Sequence, residues 1–281
     1  MSAESDSSEH IHQRARRLVD RLRLLKSVAV AWSGGVDSAV VAKAAMLALG
    51  ENAVAVTAVS PSLAQAERDV ARREAQAIGI RHVEVFTDEF AREEYRRNAG
   101  DRCFYCKDTL YSLMALNAAD LGVDVLLNGA NTDDLNDHRP GAVAAQEHHV
   151  QSPLIDEGID KAGVRELARF WELSVANKPA SPCLSSRIAY GVEVTEERVR
   201  RVELAESCLR DLTGLNEFRV RLESGELARI EVPVAALELL IDNETRTQLV
   251  ARLTGIGFRN VTLDLQGFRS GSLNDALVQL T

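Results

Sequence analysis

The sequence predicts an α/β protein: a parallel sheet with helices on both faces, followed by a small α+β domain toward the C-terminus. Three observations carry that expectation. Short apolar runs alternate with helix-like segments between residues 28 and 128, the order in which a parallel sheet is buried between helices. The first of those runs stops abruptly at a Ser-Gly-Gly turn, and a helix-forming stretch begins at once. From Tyr190 onward the order changes to helix, strand, strand, helix, strand, which no longer reads as repeated strand–helix units.

Each element follows from local pattern. The first ten residues are acidic and Ser-rich, so 1–10 reads as a disordered tail. Ile11, Ala15, Leu18, Leu22 and Leu25 recur at helical spacing, with arginines on the other face. Strands are expected at 28–32, 53–59, 82–86 and 124–128, and helices at 37–49, 62–78 and 108–120. Ligands of such sheets sit at the carboxyl ends of the strands, where Ser33, Ser60 and Asn128-Gly129 fall. Residues 11–190 form the first domain on this reading, and 191–281 the second. In the second, a helix over 195–213 aligns Val199, Val202, Leu209 and Leu212. Strands at 217–223 and 227–232 flank the turn Ser224-Gly225, and a helix at 244–255 and a strand at 258–265 follow.

Composition narrows the function. The chain has 281 residues, 46% of them apolar, enough to bury a sizeable core. The net charge is −9 and the basic residues are scattered, which argues against a nucleic-acid-coating surface. No apolar run reaches membrane-spanning length, and the N-terminal segment lacks an apolar signal core; a cytoplasmic location is expected. Four cysteines in a chain of this length read better as metal or sulfur chemistry than as a disulfide framework.

The most informative stretch is Val28-Ala-Val-Ala-Trp-Ser-Gly-Gly-Val-Asp-Ser38. Gly34 and Gly35 permit a sharp bend and close approach of the backbone to a ligand. The helix start behind them offers unpaired N–H groups and a positive dipole end, which suit a polyphosphate, and Ser33 and Ser38 add hydroxyls. Asp37 would repel phosphate unless a cation lay between them, and Mg2+ shared by the carboxylate and phosphate oxygens resolves that conflict. The Gly-Lys-Ser/Thr ending of a Walker loop is missing. The hexapeptide resembles the pyrophosphate loop of the N-type ATP pyrophosphatases, which implies ATP as cofactor. The plain alternative is a Gly-Gly turn with Asp37 capping a helix.

Cysteine spacing is the second signal. Cys103-Phe-Tyr-Cys106 is followed far downstream by Cys183, in Lys178-Pro-Ala-Ser-Pro-Cys183-Leu-Ser-Ser-Arg187. Three thiolates could hold a 4Fe-4S cluster with one iron open, whereas structural zinc wants a fourth ligand. Three unrelated buried thiols are the alternative. Pro179 and Pro182 break any helix near Cys183 and suggest an exposed loop. Cys208 reads as a core or helix-surface thiol. Asp133 and Asp134 end the run Asn128-Gly129-Ala-Asn-Thr-Asp-Asp134, where strand-end carboxylates suit metal or nucleotide contacts and would equally build an Asx-rich turn. Asp137-His138-Arg139-Pro140-Gly141 reads as a polar loop.

Together these residues resemble the LarE-type ATP-dependent sulfur transferases, which serve synthesis of the nickel-pincer nucleotide cofactor. The carriers are Ser33–Ser38, Ser60-Pro-Ser62, Arg102-Cys-Phe-Tyr-Cys-Lys107, Gly129–Asp134, Cys183–Arg187, Ala228-Arg-Ile-Glu231 and Gly267-Phe-Arg-Ser-Gly-Ser-Leu-Asn274. The resemblance implies an adenine nucleotide alpha hydrolase-like first domain. It also implies that ATP and Mg2+ activate a carboxylate of pyridinium-3,5-biscarboxylic acid mononucleotide as an acyl-adenylate, and that sulfur then displaces AMP. Some family members sacrifice the sulfur of the Cys183 counterpart. Others use three cysteines to hold a 4Fe-4S cluster carrying sulfide, and the set Cys103, Cys106 and Cys183 matches the second type. Ser186 and Arg187 match the substrate-side loop. Arg221 and Glu231, on the family's phosphate and metal segment, are expected to meet the substrate phosphate, with Arg219 on the same strand face as Arg221 and Arg269 and Ser270 in the C-terminal matching segment; ordinary cross-strand surface charges are the plain alternative. Sulfide or a sulfur donor protein and a homo-oligomer, a hexamer by resemblance, are the implied partners. A tRNA thiolase of the same superfamily and a non-catalytic nucleotide-binding scaffold are the competing readings.

Overall fold

The computed structural model describes residues 2–136 and 140–269. In chain order the elements are α1 (Ser2–Arg23), β1 (Val28–Ala31), α2 (Val36–Leu49), β2 (Ala53–Val59), α3 (Gln65–Ile78), β3 (Arg81–Phe86), α4 (Glu93–Arg96), α5 (Arg102–Leu116), α6 (Ala118–Leu121) and β4 (Val125–Leu127). Then come α7 (Pro140–Glu147), α8 (Pro153–Asp156), α9 (Lys161–Phe170), α10 (Glu196–Thr213), β5 (Arg219–Glu223), β6 (Leu227–Glu231), α11 (Leu237–Ile241), α12 (Asn243–Ile256) and β7 (Asn260–Leu263). The chain divides into two compact units. One comprises Met1–Glu89 and Cys103–Ser181, the other Phe90–Arg102 and Pro182–Thr281. The sequence draws a single boundary after residue 190. The contacts put it at 181 and give the second unit a segment from far upstream.

The first unit is the expected α/β layer. Its four strands run in the order β3-β2-β1-β4, and every neighbouring pair is parallel. Alternation at period two sorts the strand residues between two cores. Val28, Val30, Ala53 and Ala55 pack with Leu18 and Leu22 of α1, Val40 and Val41 of α2, Ala71 and Ala75 of α3, and Val164 and Leu167 of α9. Ala29, Ala31, Val54 and Val56 pack on the opposite face with Leu110, Tyr111 and Met114 of α5 and with Ala144 and Ala145 of α7. After β1 the chain moves to β2 on one side, and after β3 it crosses to β4 on the other. The carboxyl ends of β1 and β4 therefore make a topological switch point, the crevice where open α/β sheets bind ligands.

Two expectations in this unit shift. Helix α1 begins at Ser2, inside the segment read as a tail. The helix expected at 108–120 begins instead at Arg102, so Cys103-Phe-Tyr-Cys106 forms its first turns rather than a loop. On the outer face, Arg68 and Arg72 each place two N–H groups on Glu84 at 2.7–3.1 Å. Bonding to Arg68 and then Arg72 holds that carboxylate down at about 2.

The second unit carries a three-stranded sheet in the order β5-β6-β7. β5 and β6 form an antiparallel hairpin and β7 adds parallel to β6. Thr195 caps α10 by accepting from Arg198 N, and Asp242 caps α12 through Glu244 N and Thr245 N. Among the described residues no helix is long and apolar enough to cross a membrane.

Candidate active site

The loop that follows β1 is shaped by two glycines. Gly34 has φ +67, and a Cβ there would lie 2.9 Å from Ala71 Cα. A Cβ on Gly129, just past β4, would lie 2.8 Å from Ser38 N and 3.0 Å from Asp37 C. The turn is thus in backbone contact with both α3 and the end of β4, and no side chain fits at either point. Gly35 differs. It is extended, with φ −90, and a Cβ there would meet only Ser33 Oγ at 3.2 Å. The sequence reading assigned one role to both loop glycines; the fold itself demands the first.

Hydroxyls close the turn. Gly35 N donates to Ser33 Oγ at 3.3 Å, Ser38 Oγ donates to Gly35 O at 3.0 Å, and the two hydroxyl oxygens lie 3.2 Å apart. Gly35 is the N-cap of α2, and no side chain caps that helix start. Ser60 lies at the end of β2, where its Oγ accepts from Ser62 N at 3.2 Å.

Asp37 is engaged at both oxygens. Asn131 Nδ2 donates to Oδ1 at 3.1 Å and Lys161 Nζ to Oδ2 at 2.5 Å. A second lysine, Lys178, donates to Gly34 O at 3.3 Å and to Glu67 Oε2 at 2.6 Å. Neither lysine is singled out by the sequence reading. Lys178 opens the stretch that leads to Cys183, and Lys161 follows Asp160, which caps α9 by accepting from Gly163 N at 2.8 Å. Asp134 accepts from Asn131 N and Asp133 from Lys161 N, so both carboxylates brace the turn that presents Asn131 and Lys161. An uncapped helix start with two ammonium groups beside it suits a polyphosphate. Mg2+ needs only one or two carboxylates when phosphates supply its other ligands, and Asp37 fits that demand.

In the second unit, Cys183 is exposed and precedes the short turn Leu184–Arg187. Ser186 Oγ donates to Cys183 O at 2.6 Å. Arg187 is buried; it donates to Pro182 O, to Cys183 O at 3.1 Å, and through Nε to Glu206 Oε1 at 3.1 Å. Arg221 donates to Ser186 O at 3.1 Å and through Nε and Nη2 to Glu231 Oε2 at 3.1 and 2.8 Å. Glu231, at 0% exposure, also accepts from Arg229 at 2.7 Å. Arg219 stands over the Phe268 ring at 5.0 Å. Burial, reinforced by Arg187 and Arg221, lowers its guanidinium below the ordinary value. A cluster of arginines thus surrounds the turn that follows Cys183. Glu206, which anchors it, lies on α10 and carries no sequence signal.

Cys103 is exposed and Cys106 partly buried; at i and i+3 they are neighbours on one helix face. Cys208 is buried, and burial pushes its thiol up. Among the described residues no three His, Cys, Asp or Glu side chains gather to hold a metal ion. Asp137, His138, Arg139 and the segment from Ser270 to Asn274 lie outside the described residues.

A parallel sheet with a Ser-Gly-Gly-Val-Asp-Ser loop at its switch point defines an ATP-pyrophosphatase-type, ATP-dependent enzyme. The family model described as asparagine synthase matches residues 13–212. A pyridinium-3,5-bisthiocarboxylic acid mononucleotide synthase of Lactiplantibacillus plantarum is 38% identical over 93% of this chain and 94% of its own length. An uncharacterized protein of Synechocystis sp. is 46% identical over 89% of this chain and 92% of its own. Another, from Methanocaldococcus jannaschii, is 25% identical over 87% and 92%. The chain belongs to the LarE-type ATP-dependent sulfur transferases.

Proposed function

We propose that the protein adenylates carboxylates of pyridinium-3,5-biscarboxylic acid mononucleotide and converts them to thiocarboxylates. The observation that carries this reading is the uncapped start of α2, set between glycines at 34 and 129 and flanked by Lys161 and Lys178. The product named for the Lactiplantibacillus plantarum relative supplies the substrate. A substrate carboxylate oxygen attacks the α-phosphorus of ATP and pyrophosphate leaves. Loop N–H groups and the two lysines neutralise the departing charge, and Asp37 would hold Mg2+, which would supply further positive charge for the phosphates. Ser33, Ser38, Ser60 and the Gly129–Asp134 turn line the nucleotide side.

In the second half-reaction a sulfur nucleophile attacks the acyl carbon and AMP leaves with the bonding pair. Cys183 marks that step, with Ser186 and Arg187 beside it. Arg219, together with the Arg221–Glu231 pair, offers the cationic face for the substrate phosphate. A 4Fe-4S cluster on Cys103, Cys106 and Cys183 would supply a transferable sulfide. Those three thiolates would hold it and leave one iron open to an external ligand. The alternative source is the Cys183 sulfur itself.

One experiment tests both levels. Anaerobically prepared protein is incubated with ATP, Mg2+, the biscarboxylate nucleotide and sulfide, and pyrophosphate and thiocarboxylate are followed. Pyrophosphate release without dependence on the nucleotide overturns the proposed function. Bound iron and repeated turnover that needs all three cysteines support the cluster. A Cys183 lighter by about 34 Da, the hydrogen sulfide lost when a thiol becomes an alkene, supports the sacrificial route. Light scattering tests the hexamer.

A further inference from the structure

Asn98 is wholly buried, at 0% exposure, with φ +55, in the segment Phe90–Arg102 that belongs to the second unit. Its Nδ2 donates to Ile188 O at 3.3 Å, Ala189 O at 2.9 Å and Val192 O at 3.1 Å. Its Oδ1 accepts from Arg102 Nη1 at 2.5 Å. The main chain adds Gly191 N to Asn98 O at 3.1 Å and Val194 N to Arg96 O at 2.7 Å. Three residues earlier, the Tyr95 hydroxyl lies 2.8 Å from Ser185 Oγ, both buried. Every one of these bonds ends within residues 185–194 or on Arg102.

That demand selects asparagine. The left-handed conformation is several-fold enriched in Asn among non-glycine residues. Three carbonyl oxygens on one side require donors, and a guanidinium on the other requires an acceptor, which only a carboxamide supplies together. Glycine would tolerate the backbone and remove both the donor to the three carbonyls and the acceptor for Arg102. Aspartate would match the shape and the arginine, yet turn an acceptor toward three carbonyls. A buried polar network of this kind specifies one conformation when fully satisfied.

The loop it specifies continues directly from Cys183, Ser186 and Arg187. Arg221 and Glu206 hold that turn from β5 and α10; from the upstream segment Tyr95 meets Ser185 within it, and Asn98 fixes the residues that directly follow it. We propose that Asn98 is a positioning residue for sulfur transfer: its carboxamide sets the place of the Cys183–Arg187 turn, while ATP activation proceeds independently of it. This rests on the sulfur-transfer reading above. Misplacing a reacting group by about 1 Å costs on the order of a hundred-fold in rate, so the network matters far beyond its own bonds.

The test uses the full chain and Asn98→Asp, which keeps shape and left-handed tolerance but removes the donors. Tyr95→Phe, which removes one hydrogen bond and no bulk, serves as the milder partner. Nucleotide-dependent pyrophosphate release, thiocarboxylate formation and iodoacetamide alkylation of Cys183 by mass spectrometry are read on each. Thiocarboxylate formation should fall on the order of ten- to a hundred-fold in Asn98→Asp and less in Tyr95→Phe. Pyrophosphate release should stay near wild type, and the rate of Cys183 alkylation should change as the exposed thiol loses its fixed surroundings. Equal loss in both half-reactions for both variants would assign a merely structural role and overturn the proposal. If wild type releases no pyrophosphate with this nucleotide, the proposed function fails by itself. The alkylation rates then decide alone, and equal rates in wild type and both variants overturn the positioning role.

Discussion

The Ser33–Ser38 loop and the Cys183–Arg187 turn are built in opposite ways. The first is contiguous: a strand end, two glycines and a helix start, with hydroxyls from Ser33 and Ser38 closing the turn on itself. The second is a short, largely buried turn behind the exposed Cys183, and its shape comes from elsewhere, from Tyr95, Asn98, Glu206 and Arg221. A backbone-built anion site needs few partners because the helix supplies its own donors. A side-chain site in a turn has no such internal support, so distant residues must over-determine it. The loop should therefore fail through local changes, and the turn through changes far away in sequence.

The largest expected effect is at Asp37. Asp37→Ala removes the carboxylate proposed to hold Mg2+ and leaves Lys161 without its 2.5 Å partner. Nucleotide-dependent pyrophosphate release should disappear while Cys183 alkylation stays at the wild-type rate. Release at the normal rate would remove Asp37 from the nucleotide site.

Next is Glu231→Gln in the second unit. It removes the fully buried charge that Arg221 and Arg229 share, while Arg229 keeps Glu223 and Asp264; breaking a buried pair costs about 3–5 kcal/mol. A large fall in the urea midpoint is expected, together with a disturbed Cys183 turn, because Arg221 also holds Ser186 O. An unchanged midpoint would show that this network does not support the second unit.

The loop glycines separate fold from ligand. Gly34→Ala meets a left-handed φ and Ala71 Cα at 2.9 Å, for a cost of about 1–3 kcal/mol. Gly35→Val faces open space on the protein side apart from Ser33 Oγ. It should keep wild-type thermal stability and lose pyrophosphate release. Identical stability losses in the two variants would refute the distinction.

Smaller still is Asp160→Ala, which removes the α9 cap and should cost about 1 kcal/mol, with a modest rise in KM for ATP as Lys161 slackens. An unchanged KM would detach Lys161 from the site. The smallest effect concerns acid. Glu84 is held at about 2 by Arg68 and Arg72. Its stabilising contribution is present above the ordinary carboxylate value and disappears as pH falls through about 2. The stability gap between wild type and Glu84→Gln should hold from neutral pH down to mild acid and close only in strong acid. A gap that closes already near pH 5 would contradict that ion pair.

The order of effects follows how each part could be read. Strands 28–32 and 53–59 were legible because their residues are apolar and buried, with only the polar Thr57 and the half-buried Ala58 as exceptions, and the expected and observed limits differ by at most one residue. The helix start at Arg102 was not, because Arg102-Cys-Phe-Tyr-Cys-Lys107 has no apolar period and its cysteines drew attention as ligands. Lys161 and Lys178 were missed because a single lysine carries no pattern; only the packing of α9 and of the chain after it brings them to Asp37 and Gly34.

By itself the sequence determined the parallel α/β layer, the nucleotide loop and the family, since these rest on periodicity and on a contiguous motif whose donors are backbone groups. Tertiary structure alone decided that 90–102 belongs with 182–269, that Glu206 and Glu231 are the buried anchors of the arginine cluster, and that an asparagine at 98 holds the loop after Cys183. Each of those depends on hydrogen bonds between residues whose sequence separation runs from ten to more than ninety. Buried polar groups must find partners wherever the fold places them, and no local pattern records which partner that will be.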